Sequence, residues 1–450
     1  MKYLGKNTEG ATQQLLFKNE SIEWLLPENH SLIQKEKIIP WCELLEIISE
    51  KYSINGSKSK SIRMMLGLEL AKRELGVSDE KIVETLSTDI ALQYFCGFRS
   101  FGEEKIPDSS SMTYFRKRLG TEIFQRIEQC VTRSLIPYLP KRRRGQVIVD
   151  TTCIEANVTF PTDTKLLKKT WQKLVTVAEA IRDNGKELII RGKQKLLKEV
   201  RGFDLRRKKS RRFIQKMRKK LWRETNKLEG KIMNHIRKRM TETGQSFTEI
   251  MEGLGKKTVT TILTAKKIIN QQGEMIRKKT NSVGNRIVSF HEKTVRPIVR
   301  GKEGRNVEFG SKIGLSVIGG FLASSHSVSS NNYSDTEILE ETLEAYAKVR
   351  DKPPKEVVGD RGFHSPKNHN LLQAKDIRDG IEYRGRIPKK AILPSKKDLK
   401  RMKNQRSVVE GRIGNLKRMG QKCCYKTKNM ETWVSGGIIM MNLRWACSRI

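Results

Sequence analysis

The sequence predicts an α/β core that is preceded by a helical region and split by a long basic helical segment. Three patterns predict it. Two short apolar runs, Gln146-Val-Ile-Val-Asp150 and Glu356-Val-Val-Gly-Asp360, each end in a carboxylate and read as buried strands with Asp at the C-terminal tip. Between them, apolar residues recur at helical spacing through a stretch crowded with Arg and Lys. From about residue 301 the apolar period changes to two. The expected division is a helical N-terminal domain over 1–140, an α/β core over 141–164 and 301–450, and a basic helical insertion over 165–300.

In the first region, Ile62, Met65, Leu66, Leu68 and Leu70 lie on one broad helical face, and Ser78-Asp-Glu supplies a cap and an acidic first turn for the next helix. The helix, turn and helix between about 78 and 98 suit either a DNA-reading module or helical packing and dimerisation, and near-zero local charge favours the second. In the insertion, Ile214, Met217, Leu221, Leu228, Ile232, Ile236 and Met240 repeat at three-, four- and seven-residue steps. Such a stripe needs a partner to bury it, so an antiparallel helical arm is expected, with Trp171 and Trp222 as core anchors and His235 beside the stripe. Further on, Ile313, Leu315, Val317 and Phe321 share a strand face, and Gly319-Gly320 marks a hairpin turn. Ser334-Asp-Thr-Glu337 opens a helix to about Arg350, which Pro353-Pro354 ends before the Asp360 strand. A short strand near 381–384, the helix holding Glu410 and a final helix over 437–447 complete the order.

The chain has 450 residues and a net charge of +40. That excess is uneven: residues 1–164 carry +1, 165–300 carry +26 and 301–450 carry +13. A polyanion is the natural partner, because phosphate neutralisation releases counterions and binds strongly at low salt. Seven cysteines, with no CxxC spacing and an odd count, offer no complete disulfide framework or zinc pattern and suggest a reducing interior. The vicinal Cys423-Cys424 pair reads as ordinary thiols. No run approaches the roughly 18 apolar residues of a membrane span, and the first residues lack a signal peptide's apolar run. The expectation is a cytoplasmic, nucleoid-associated protein without a membrane partner.

Arg406-Ser-Val-Val-Glu410-Gly-Arg-Ile-Gly-Asn-Leu-Lys417 places Arg406, Glu410 and Lys417 on one helical stripe, beside an apolar stripe of Val409, Ile413 and Leu416. Burying the apolar stripe holds Glu410 at the rim of the core between two cations. In open α/β sheets, ligands bind at the C-terminal strand edge. Two strand-tip aspartates and a helical glutamate form an oxygen-only set suited to a hard divalent cation such as Mg²⁺. Asp163, Glu155 and Glu308 read instead as a cap, a residue beyond the tip and a loop anchor.

Together these residues resemble the DDE transposases of bacterial and archaeal insertion sequences. The spacing of Arg406, Glu410 and Lys417 matches the R(3)E(6)K part of that signature, although Lys403 stands where a tyrosine is expected. Further likenesses are Phe160-Pro-Thr-Asp163 with Leu166-Leu167, Gly301-Lys302 with Glu308-Phe309-Gly310-Ser311-Lys312, Asp360-Arg-Gly-Phe363, and Pro107-Asp-Ser-Ser-Ser111 before Phe115-Arg-Lys-Arg118. The resemblance implies an RNase H-like core in which Asp150, Asp360 and Glu410 are the catalytic residues and hold two Mg²⁺ ions, with Mn²⁺ as a substitute. It implies that Arg406 and Lys417 grip DNA phosphate; Arg361 suits either that role or a structural ion pair. The implied partners are double-stranded DNA, as terminal inverted repeats and target, and a second protomer on that DNA. Metal-dependent duplex cleavage would separate this reading from a DNA-binding regulator derived from such an enzyme. Strand joining would separate it from a nuclease.

Overall fold

The computed structural model describes residues 22–53, 59–183, 186–187, 190–302, 305–389, 391–419 and 429–449. In chain order the helices are α1 (Ser31–Ile38), α2 (Trp41–Ser49), α3 (Ile62–Leu75), α4 (Asp79–Leu86), α5 (Ile90–Phe95) and α6 (Ser109–Leu135), followed by strand β1 (Gln146–Glu155). Next come α7 (Asp163–Ala180), α8 (Lys193–Leu205), α9 (Arg211–Thr243), α10 (Phe247–Gly253) and α11 (Lys256–Arg277). Besides short strands at Arg182–Asp183, Lys186–Glu187 and Arg296–Lys302, there follow β2 (Arg305–Ile318), β3 (Leu322–Ser329), α12 (Leu339–Arg350), β4 (Glu356–Gly359), α13 (Pro366–Ala374), β5 (Arg378–Ile381), α14 (Lys396–Arg418) and α15 (Met430–Cys447). Two compact units result: one runs to Asn157 and resumes at Gly310, and the other is Val158–Phe309.

In the first unit the strand order is β3-β2-β1-β4-β5. β1 pairs antiparallel with β2 and parallel with β4, and β4 pairs parallel with β5. Gly319 and Gly320, with φ of +62° and +82°, turn β2 into β3, a conformation in which a side chain would be strained. The outer edge of β3 is covered rather than open. The buried Asn442 of α15 accepts from Ala323 N–H at 2.9 Å and donates to its carbonyl at 2.8 Å, and Glu128 of α6 accepts from Ser325 N–H at 2.6 Å. The sheet and the helices of residues 22–140 share one hydrophobic core, in which α15 packs against α6, α3 and β3.

Several element boundaries in this unit differ from the sequence reading, and the final helix begins at Met430 rather than 437. The helix expected from Ser334 begins instead at Leu339, after a 3₁₀ turn at Asp335–Glu337 in which Ser334 Oγ accepts from Thr336 N–H at 3.4 Å. The last strand of the sheet ends at Ile381 rather than near 384.

The second unit has its own core, built where α7, α9 and α11 pack together. Trp171 is 4% exposed, while the half-buried Trp222 donates its indole N–H to the Ile269 carbonyl at 3.0 Å. His235 is buried. Ile214 is 39% exposed and falls outside the buried stripe, whereas Met217, Leu221, Leu228, Ile232 and Ile236 are buried in it. Thr162 caps α7 and Asp163 lies just inside it, paired with Arg286 at 2.7 Å and Arg218 at 3.3 Å. Cys423 and Cys424 lie outside the described residues; the described cysteines are free thiols.

Candidate active site

Asp150 is not at the tip of its strand. β1 continues five residues further, to Glu155, because the long β2 keeps supplying antiparallel partners as far as Gly310. The relevant edge is set by the parallel neighbour, whose pairing with β1 stops at Val149↔Gly359. One step beyond that pair stand Asp150 and Asp360, side by side on adjacent strands. The next strand continues the row: Gly359 pairs with Ile381, and Glu382 N–H donates to the Gly359 carbonyl at 3.2 Å. Thus the edge presents Asp150, Asp360 and Glu382 in succession.

Strand alternation decides which face they take. Gly380 is in register with Val358, and Val358 with Ile148. A Cβ on Gly380 would lie 2.8 Å from Met402 Sδ of α14, so this row faces α14. Two residues further along each strand, Asp150, Asp360 and Glu382 project to the same face. α14 packs on β1, β4 and β5 through the buried Met402 and Val409, and its far end is seated by Leu416.

On that helix Glu410 is exposed, whereas Arg406 and Lys417 are half-buried. Arg406 reaches Glu382 at 3.4 Å, and Arg361 reaches the same carboxylate at 3.4 Å while remaining 69% exposed. The sheet therefore brings Asp150 and Asp360 together and places Arg361 and Arg406 at the same edge. No three carboxylate, imidazole or thiol groups converge closely enough to hold a metal ion among the described residues. Glu410 thus shares the helix that covers the pair without closing a three-ligand cluster.

Local hydrogen bonds orient the aspartates. Asp150 Oδ1 accepts from Thr151 N–H at 2.7 Å, and Asp360 Oδ1 accepts from Gly362 N–H at 2.8 Å. Behind them lies Asp335, which the sequence reading left inside a capping box. Its carboxylate accepts from Thr151 Oγ1 at 2.9 Å and pairs with Lys312, which is only 9% exposed, at 2.6 Å. A Cβ at Gly362 would stand 2.6 Å from Asp335 Oδ2 and 2.7 Å from Asp360 Oδ1, so only glycine fits between the two carboxylates. Burial, reinforced by Asp335 and Glu341, raises the phenol pKa of neighbouring Tyr333.

A second unanticipated feature follows Asp360 closely. His364 Nδ1 lies 2.8 Å from His369 Nε2, and His369 Nδ1 bonds Asp379. A carboxylate only accepts, so with both rings neutral His369 donates to Asp379 and accepts from His364. Tyr383 stacks on His369 at 4.0 Å, and the group borders a cavity of about 550 Å³. Desolvation, then His369, lowers the His364 pKa. No sequence spacing announced this group, because its members come from a turn, a helix and a strand.

Residues 20–118 match the family described as Transposase domain (DUF772), and residues 314–443 match the Transposase DDE domain. Over 162 residues, covering 36% of this chain and 78% of the relative, the sequence is 30% identical to a Rhizobium meliloti protein described as uncharacterized protein ORF8 in nfe locus. The chain belongs to the DDE transposase family. No solved structure matches the transposase. A DDE domain implies an RNase H-like core, and the mixed sheet with its parallel β1, β4 and β5 is consistent with one. Among the described residues, no helix of the transposase is long and apolar enough to cross a membrane.

Proposed function

We propose that the transposase binds the inverted-repeat ends of its insertion sequence, cleaves DNA strands there and joins them to target DNA, using divalent metal. The observation that carries this reading is that Asp150 and Asp360 each follow the last β1–β4 pair, Val149↔Gly359, on the sheet that the helix bearing Glu410 packs against. Their donor chemistry fits Mg²⁺ or Mn²⁺: both are carboxylates whose Oδ1 is oriented by a local backbone N–H, and an oxygen-only donor set suits a hard divalent cation. Asp150, Asp360 and Glu410 would hold the metal, and completing the set requires Glu410 to approach the aspartates. Bound there, two ions supply activation of water or a 3′-hydroxyl and stabilisation of the leaving oxygen.

The chain's own residues position the DNA. Arg406 and Lys417 contact phosphate, and Arg361 adds a third cation. Glu382 neutralises Arg361 and Arg406 in the structure, so a DNA phosphate competes with an internal carboxylate for them. The basic residues of 165–300 supply most of the nonspecific affinity, and neutralising them should flatten the dependence of binding on salt. An element has two ends and each three-carboxylate site serves one, so the active species on DNA is a homodimer. A fully active complex containing one protein chain, by mass measurement with end DNA bound, would refute that.

The deciding experiment is Asp150→Asn in a Mg²⁺-dependent cleavage and strand-joining assay, with DNA binding measured in parallel. Loss of cleavage with binding retained is expected. Full activity in this variant would overturn the assignment.

A further inference from the structure

The opposite edge of the same three strands carries a second concentration of charge. Gln146, Glu356 and Arg378 are in register at the N-terminal ends of β1, β4 and β5. They line a cavity of about 790 Å³ whose walls contain nine Lys or Arg residues and two acids. The cations arrive from four separate segments: residues 141–144, residues 350–355, the start of β5, and α14.

Both acids are already engaged. Glu356, 3% exposed, pairs with Arg401 at 2.6 Å and Arg378 at 3.9 Å, and Asp398 pairs with Arg401 at 3.3 Å. Among the described residues Lys141, Arg142, Lys352 and Lys355 have no ion-pair partner, and all four are exposed. The scaffold beneath them is held firmly. Arg144 donates to the carbonyls of Leu139 at 3.0 Å and Pro137 at 2.7 Å, while its own carbonyl accepts from Tyr346 Oη at 2.7 Å. Arg350 also lines the wall, its Nε buried without a hydrogen-bond partner among the described residues. Like charges gathered this closely repel one another, and an external polyanion relieves that cost.

We infer that this cavity is a second DNA-binding site that holds the phosphate backbone of duplex DNA away from the phosphate being cut. It rests on the proposed DNA chemistry and adds a contact that the carboxylate edge does not make. Asp150 lies four residue steps along β1 from Gln146, about 13 Å at roughly 3.3 Å per step. The two edges therefore touch different phosphates. A surface of flexible lysines reads charge rather than base identity, so the contact is sequence-independent.

The test uses the full chain with Lys141→Glu, Arg142→Glu, Lys352→Glu and Lys355→Glu combined, all outside the carboxylate edge, after thermal melting confirms folding. Affinity is measured against salt for two duplexes, one from the DNA flanking the gene and one of random sequence. The slope of log affinity against log salt should fall by several units, at about 0.9 for each phosphate no longer neutralised, equally on both duplexes. A milder set, the same four residues changed to Gln, serves if the charge reversal fails to fold. Unchanged affinity and slope in a protein that still cleaves DNA would refute the second site while leaving the proposed activity standing. Loss on the flanking duplex alone would refute the sequence-independent contact. Weakened pyrophosphate binding with unaltered DNA binding would give the cavity to a small anion instead. Absence of DNA binding and cleavage in the unaltered protein would refute both readings.

Discussion

Just beyond the last parallel pairs of β1, β4 and β5 the row is Asp150, Asp360 and Glu382, whereas at the N-terminal ends of these strands it is Gln146, Glu356 and Arg378, ringed by exposed basic side chains. The strands are the same and the pairing is continuous. What differs is where the chain returns. At the first edge, backbone N–H groups just past each aspartate bond it, Thr151 from within β1 and Gly362 from the turn that follows β4. At the second, three basic connections enter the strands together and one buried glutamate cannot neutralise them. One edge thus gathers carboxylates and the other, among the described residues, gathers unpaired basic side chains.

The strongest way to break this contrast is at the acidic row. Asp150→Asn or Asp360→Asn should abolish cleavage with little change in DNA affinity, and chelation of divalent metal should do the same until Mg²⁺ or Mn²⁺ is restored. Cleavage that survives either treatment would remove the reason to separate the edges. Next in size is Gly362→Ala, which forces a methyl group between Asp335 and Asp360. An overpacked site of this kind costs about 1–3 kcal/mol, read as a lower melting temperature, and cleavage should fall along with it. A fully active, equally stable variant would show that Asp335 and Asp360 separate freely.

At the basic edge, Glu356→Gln removes the charge that holds Arg401 and Arg378. Losing hydrogen bonds to a charged group costs roughly 1.5–3 kcal/mol when buried, and the half-exposed arginines place the effect toward the low end. Denaturant unfolding measures it, and DNA affinity should rise because two cations are released. The smallest effect is expected for Glu382→Gln. Its bridges to Arg361 and Arg406 are partly solvated, so stability should change by under about 1 kcal/mol, while DNA binding strengthens slightly. Weaker binding in that variant would mean that Glu382 orients the arginines instead of competing with phosphate.

Much of the local order was legible in the chain. The Gly319-Gly320 turn, the apolar stripe that seats α14 through Val409 and Leu416, and the presence of strands at 146–150 and 356–359 all follow from short-range period and turn chemistry. The boundaries were less legible. β1 runs past Asp150 because β2 is long enough to keep pairing with it, a fact held in the partner and not in the strand.

By itself, then, the sequence determined which residue types are available, their spacing on individual helices and strands, and the excess of positive charge that demands an anionic partner. Only the tertiary structure decided the rows. Register aligned Asp150 with Asp360 and carried Glu382 in beside them; packing set Asp335 against Gly362, linked His364 through His369 to Asp379, and gathered residues 141–144, 350–355, 378 and 401 around one cavity. The physical reason is range. Propensity and periodicity act within a few residues, whereas these groups are brought together by hydrogen bonding between strands and burial of shared apolar surface, across separations from about fifteen residues for His364 and Asp379 to more than two hundred for Asp150 and Asp360.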